Sequence, residues 1–276
     1  MGEEWKDLQV HMDRTKEFKG DIMPQFVTIL LYSIIFLYGI VIGSFLNVCI
    51  YRIPAKESLI PSSHCMSCGH KLHWYDLFPV FSYILLRGRC RYCKAKVSWQ
   101  YPLIEMLNGV LYVIVFMANG INLNSVVYCL MTSALIVISV IDERTYEIPV
   151  GLNIFLLILG VVMCALNWQN VTEHLIGAVA VGIPLYLLYL LSGGKAIGGG
   201  DIKLMGAAGL IIGWKCIVLA FFVGCILGSV IHVLRMKLTK VEHVLAMGPY
   251  LSAGIFITAL WGNRMIEWYL GCLGIA

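Results

Sequence analysis

The chain has 276 residues, 59% of them hydrophobic and only 13% charged, with a mean hydropathy of +0.83. A soluble domain is about 45–50% apolar and about 25% charged, so this chain lacks the polar surface to cover a water-soluble fold. It reads as an all-α polytopic membrane protein whose first partner is the lipid bilayer. The net charge of +4 is small and dispersed, which argues against nucleic acid as a partner.

In chain order, residues 1–23 are a polar tail of mixed sign, with Glu3, Glu4, Asp7, Arg14, Lys16 and Lys19. Residues 24–50 are an apolar run long enough to span a bilayer, since about 20 residues suffice. The run is too long, and its entry too acidic, for a cleaved signal peptide. Residues 51–101 are polar and carry four cysteines. Apolar runs then recur at 102–118, 125–141, 149–166, 174–192, 216–234 and 244–262. A short Gly-rich stretch from Lys203 to Gly213 adds a half-span, a re-entrant segment or a short helix, giving seven or eight transmembrane helices.

Basic residues orient this ladder. With the first helix running inward, the 51–101 loop, Arg144, Lys195, Lys203, Arg235, Lys237 and Lys240 all fall on the cytoplasmic side. The expected topology has the N-terminal tail outside and the four-cysteine loop inside.

That loop contains Cys65-Met66-Ser67-Cys68 and Cys90-Arg91-Tyr92-Cys93. Two C-x-x-C knuckles can complete a tetrahedron of thiolates around zinc, although the spacing slightly exceeds the usual ~15–20 residues. Four cysteine ligands leave no open position, so such a zinc is structural. The alternatives are disulfides or unligated thiols, and a reducing cytoplasmic side disfavours disulfides. His64, His70 and His73 flank the first knuckle as possible substitute ligands or as solvated side chains.

Ionisable groups at membrane depth are costly and are functional candidates. Asp142 ends the third apolar run, and Asp201 lies in Gly198-Gly199-Gly200-Asp201-Ile202-Lys203. The expected topology puts both on the same side at similar depth. Two carboxylates that meet cannot both ionise easily, so one keeps a proton while the other acts as a base; this is the aspartic-protease arrangement. The glycines allow close backbone approach. The alternative is a pair of interfacial acids matched to Arg144 and Lys203. Gly193-Gly194-Lys195-Ala196 lacks the Ser or Thr of a phosphate-binding P-loop.

Several motifs in order resemble the type IV prepilin peptidases, membrane aspartic proteases of the G-x-G-D kind. They are Gly43-Ser44-Phe45-Leu46-Asn47 with Tyr51-Arg52-Ile53-Pro54, the paired C-x-x-C loop, and Tyr101-Pro102-Leu103-Ile104-Glu105. Ile141-Asp142 through Ile148-Pro149, Gly198-Gly199-Gly200-Asp201 and Met247-Gly248-Pro249-Tyr250 complete the set. Val150 departs from the family's usual aspartate and Met66 from its proline, while the N-terminal tail has no counterpart.

The resemblance implies a zinc-ribbon-like cytoplasmic loop domain at 51–101, held by Cys65, Cys68, Cys90 and Cys93. It implies a transmembrane aspartic peptidase domain over 102–276, with Asp142 and Asp201 as the dyad and Gly198, Gly200 and Lys203 around it. The implied location is the bacterial inner membrane. The implied reaction is removal of the basic leader from prepilins or pseudopilins, followed by N-methylation with S-adenosylmethionine; Gly88 is the residue linked to methyl transfer. Rival readings are another intramembrane aspartic protease, or a non-enzymatic scaffold.

Overall fold

A computed structural model describes residues 2–60, 62–194, 197–238 and 245–273, with side chains from residue 25 onward. Lys195 and Lys240, which entered the charge argument, lie outside the described residues. The expected tail and first span form one helix, α1 (Gly2–Arg52), whose apolar part runs Gln25–Arg52.

After the polar loop, which contains the short helix α2 (Phe81–Leu85), come α3 (Gln100–Asn119), α4 (Leu123–Thr145) and α5 (Val150–Leu166). Next are α6 (Val171–Ala180) and α7 (Gly182–Leu191), then α8 (Gly199–Ile212), α9 (Trp214–Leu238) and α10 (Gly248–Cys272). Among the described residues, each expected apolar run is helical over most of its length; Val244, at the start of the last run, lies outside them. Five segments are long and apolar enough to cross a membrane: Gln25–Arg52, Gln100–Asn119, Leu123–Thr145, Trp168–Leu191 and Trp214–Leu238. The fourth divides at Val181 because Pro184 lacks the N–H that would bond to Ala180.

The Gly-rich stretch resolves as α8, a short buried helix. Its 14 residues extend about 21 Å, less than the ~30 Å hydrocarbon core. Leu204, Met205, Ala208 and Ile211 are buried, and they share a core with Met131 and Ile138 of α4, Leu156 of α5, Ile217 of α9 and Ile255 of α10.

Helices approach through small residues, as expected where lipid removes any hydrophobic preference for protein over solvent. A Cβ on Gly177 of α6 would run into the backbone of Gly209 on α8, and one on Gly39 would lie 2.8 Å from the Gly109 Cα. Polar side chains join α1, α3 and α4: Asn108 Nδ2 donates to the Gly39 carbonyl (2.7 Å), and Ser133 Oγ donates to Asn108 Oδ1 (2.9 Å).

The cysteine loop is tied to this bundle by a buried acid. Glu105 of α3 accepts the Val80 N–H at 2.7 Å. Val80 has φ +61°, rare for a β-branched residue. The carboxylate holds that turn, and with it the entry into α2.

Candidate active site and metal centre

Asp142 lies in the last turn of α4 and Asp201 in the first turn of α8. The α4 helix ends just beyond Asp142, where Tyr146 turns left-handed (φ 55°) and donates its N–H to the Asp142 carbonyl at 2.8 Å. The chain then reaches Pro149, which opens α5. These turns bring two carboxylates from distant parts of the sequence to one end of the bundle, near enough for the charge of Asp142 to act on Asp201. Asp142 is 5% exposed and Asp201 is half-buried.

Neither carboxylate has a cation within ion-pair distance among the described residues. Arg144, the expected interfacial match for Asp142, instead donates to Gln100 Oε1 and lies 5.2 Å over the Tyr51 ring. Lys203 is exposed and forms no ion pair within the described residues. Asp142 Oδ2 accepts the Gly248 N–H at 2.8 Å, and the Gly198 amide at the start of α8 favours the Asp201 charge against the burial that opposes it. An acid in a first helical turn also meets the positive end of the helix dipole.

The glycine pattern around Asp201 has a local cause. A Cβ on Gly198 would sit 3.1 Å from Asp201 Oδ2, and one on Gly200 would sit 3.0 Å from the Ile148 Cβ. One on Gly199 would meet nothing within 4 Å. A side chain at either outer position would be tight against these neighbours, whereas the middle one is open.

In the cysteine loop, the Sγ atoms of Cys65, Cys68, Cys90 and Cys93 all lie within 4.8 Å of one another. Cys65 Sγ and Cys93 Sγ are 3.8 Å apart. A tetrahedron with Zn–S bonds of about 2.3 Å has edges of about 3.8 Å, so the donor set fits zinc.

The two knuckles share one geometry. The Cys65 N–H donates to the His70 carbonyl and the Cys90 N–H to the Ala95 carbonyl; Gly69 (φ +70°) and Lys94 (φ +61°) turn left-handed at equivalent places. The amides of Cys68 and Ser67 hold the Cys65 thiol down to about 6. Cys93 bonds the Ala95 amide, yet burial and its three thiol neighbours leave it pushed up to about 11. His64, His70 and His73 stay outside the cluster, with the His70 ring packed 3.7 Å from the Tyr92 ring.

Gly88 turns at φ +65°, and a Cβ there would lie 2.8 Å from the Tyr83 hydroxyl. Its glycine identity therefore has a structural cause.

Three features escaped the sequence reading. Asp76 accepts from Arg91 Nε at 2.6 Å and from Tyr92 Oη at 3.3 Å, clamping the second knuckle. Burial works against this charge, but Arg91, the His73 amide and Tyr92 together outweigh it and hold Asp76 below the usual carboxylate range. Arg235 of α9 pairs with Glu143 at 2.7 Å. Finally, Gly248 touches Asp142, although only its Gly-Pro motif was visible in sequence.

Comparison with known proteins matches residues 37–119 to the Bacterial Peptidase A24 N-terminal domain and residues 129–233 to the Type IV leader peptidase family. Curated relatives named prepilin leader peptidase/N-methyltransferase cover most of the chain. That of Pseudomonas putida is 30% identical over 266 residues, covering 86% of this chain and 92% of its own. The Aeromonas hydrophila protein is 30% identical, covering 87% and 94%, and the Burkholderia pseudomallei strain 1026b protein is 33% identical, covering 82% and 84%. No solved structure matches the chain.

Proposed function

The chain belongs to the type IV leader peptidase family, and on that premise we propose how its residues divide the work. It is a multi-pass membrane enzyme, a prepilin peptidase, which sets the scaffold reading aside. The substrates on this reading are prepilins or pseudopilins, whose apolar helix lies in the bilayer while the basic leader stays on the cytoplasmic face of the bacterial inner membrane.

Asp142 and Asp201 form the catalytic dyad. One carboxylate takes a proton from the lytic water, and the other hydrogen-bonds or protonates the scissile carbonyl. The tetrahedral intermediate collapses as the leaving amine gains a proton, and no covalent acyl-enzyme forms. The observation that supports this reading is that Asp142 and Asp201, in the last turn of α4 and the first turn of α8, come near enough for one charge to act on the other, with no cation neutralising either among the described residues.

Cys65, Cys68, Cys90 and Cys93 hold a structural zinc, which cross-links a loop too small to build its own core. The loop meets the catalytic end through Arg144, two residues beyond Asp142, which engages Gln100 and Tyr51.

S-adenosylmethionine supplies a methyl group for the freed amine in the second activity that the relatives' name carries. Gly88 offers that cofactor no open cradle where a Cβ would stand, because Tyr83 fills the space.

The test is mass spectrometry of a prepilin peptide incubated with the purified enzyme, with and without S-adenosylmethionine. Wild type should remove the leader, while Asp142→Asn and Asp201→Asn should lose about 10²–10⁴-fold in rate. Cleavage by either variant at the wild-type rate would refute the dyad.

A further inference from the structure

We propose that Gly248 is a positioning residue for the peptidase reaction: its backbone N–H fixes the Asp142 carboxylate, and its lack of a side chain keeps that carboxylate's place open. The inference rests on the reading of Asp142 as one half of the dyad.

The start of α10 is built to aim a single donor. Pro249 has no N–H, and the amides of Tyr250 and Leu251 are both taken by the Met247 carbonyl, at 3.1 and 3.0 Å. In this turn the Gly248 N–H reaches Asp142 Oδ2 at 2.8 Å across a sequence separation of 106 residues. Both partners are buried, so water does not compete for the bond. Oδ1 has no hydrogen-bond partner among the described residues, which leaves it for substrate and water.

Steric fit adds a second, independent constraint. A Cβ on Gly248 would stand 2.7 Å from Asp142 Oδ2 and 2.9 Å from both Cβ and Cγ. Rotating the far end of the side chain cannot relieve contacts with the Cβ and Cγ as well. The carboxylate or the start of α10 must shift, and α10 packs along α4 through a shared buried core. Acid–base chemistry depends on sub-ångström placement, and a misplacement of about 1 Å costs roughly 10²-fold in rate.

The test compares steady-state kinetics and thermal stability of four full-length, detergent-solubilised proteins: wild type, Gly248→Ala, Gly254→Ala and Asp142→Asn. A statine-containing prepilin peptide, which mimics the tetrahedral intermediate, is titrated against the first three. Gly248→Ala should lower kcat about a hundredfold and weaken statine-peptide binding in parallel. Its KM should stay within about twofold, and its melting temperature within a few degrees.

Gly254→Ala drives a Cβ into the Ala220 carbonyl of α9, remote from Asp142 in sequence and in contacts. It should lower the melting temperature while its folded fraction keeps the wild-type kcat. If Gly248→Ala does not fold, an amide-to-ester replacement at Gly248 removes the donor without adding an atom and should show the same kcat loss.

Wild-type kcat in Gly248→Ala overturns the inference, as does a kcat loss that merely tracks lost stability or raised KM. A dead Asp142→Asn beside a fully active Gly248→Ala leaves the dyad standing and sinks only the role of Gly248. A fully active Asp142→Asn sinks both.

Discussion

Gly200 and Ile148 bring the two aspartate motifs into contact: a Cβ added to Gly200 would lie 3.0 Å from the Cβ of Ile148. Ile148 ends the segment that begins at Asp142, and Gly200 immediately precedes Asp201. A side-chain contact beside Asp201, six residues beyond Asp142, thus helps hold the two motifs together. Gly200→Ala should destabilise the enzyme by about 1–3 kcal/mol, the usual cost of overpacking, and lower kcat. Gly199→Ala, whose Cβ meets nothing within 4 Å, should change the melting temperature little and cleave at a rate within about twofold of wild type. Thermal unfolding and leader-cleavage rates on both variants check the contrast; equal damage from both would refute it.

The thiol cluster leads to a metal prediction. Inductively coupled plasma mass spectrometry on the purified enzyme should find one zinc per chain, and Cys90→Ser should lose it. Without metal, the loop should become sensitive to proteases between Tyr51 and Gln100, since the bound ion supplies much of its folding energy. Normal zinc content in Cys90→Ser would contradict the four-cysteine site.

Asp76 makes loop stability depend on pH. Its folded-state pKa is depressed, because burial is outweighed by Arg91, the His73 amide and Tyr92 together. Its contribution should therefore be complete above the ordinary carboxylate range near pH 4 and disappear as pH falls through the depressed value. Asp76→Asn should make the loop more protease-sensitive than wild type at neutral pH, with the gap closing in stronger acid. Limited proteolysis across that range, using an acid-active protease at the low end, reads the difference. A gap that widens in acid would show the sign to be wrong.

On the proposed function, charge near Asp142 serves leader recognition, but unequally. Glu143 is already paired with Arg235 at 2.7 Å, whereas Glu147 is exposed and forms no ion pair among the described residues. Glu147→Lys should slow cleavage of a basic leader roughly threefold relative to a neutralised one, the scale of an exposed ion pair. Glu143→Gln should have the smaller effect. Identical slowing on both leaders would remove Glu147 from recognition.

Much of the molecule was legible in residue order because its causes are local or compositional. Long apolar runs must be helices, since lipid offers no partner for open backbone. The C-x-x-C knuckles and the acids at helix ends follow from spacing and hydropathy alone. The Gly88 case shows the limit: its glycine was visible, but not the Tyr83 ring that requires it. The short Lys203–Gly213 stretch likewise stayed ambiguous, because hydropathy cannot distinguish a half-span from a short helix enclosed by its neighbours.

By itself, the sequence determined that the chain is helical, that it belongs in a bilayer, and which acids and thiols are candidates for chemistry. Only the tertiary structure decided which of these groups meet, and what holds them. Glu143 is neutralised by a residue 92 positions away, Asp76 clamps the second knuckle, and Asp142 receives the backbone of Gly248. These contacts depend on where helices cross and how they rotate about their axes. Packing of small residues across the whole bundle sets those quantities, and no local pattern of hydropathy or charge encodes them.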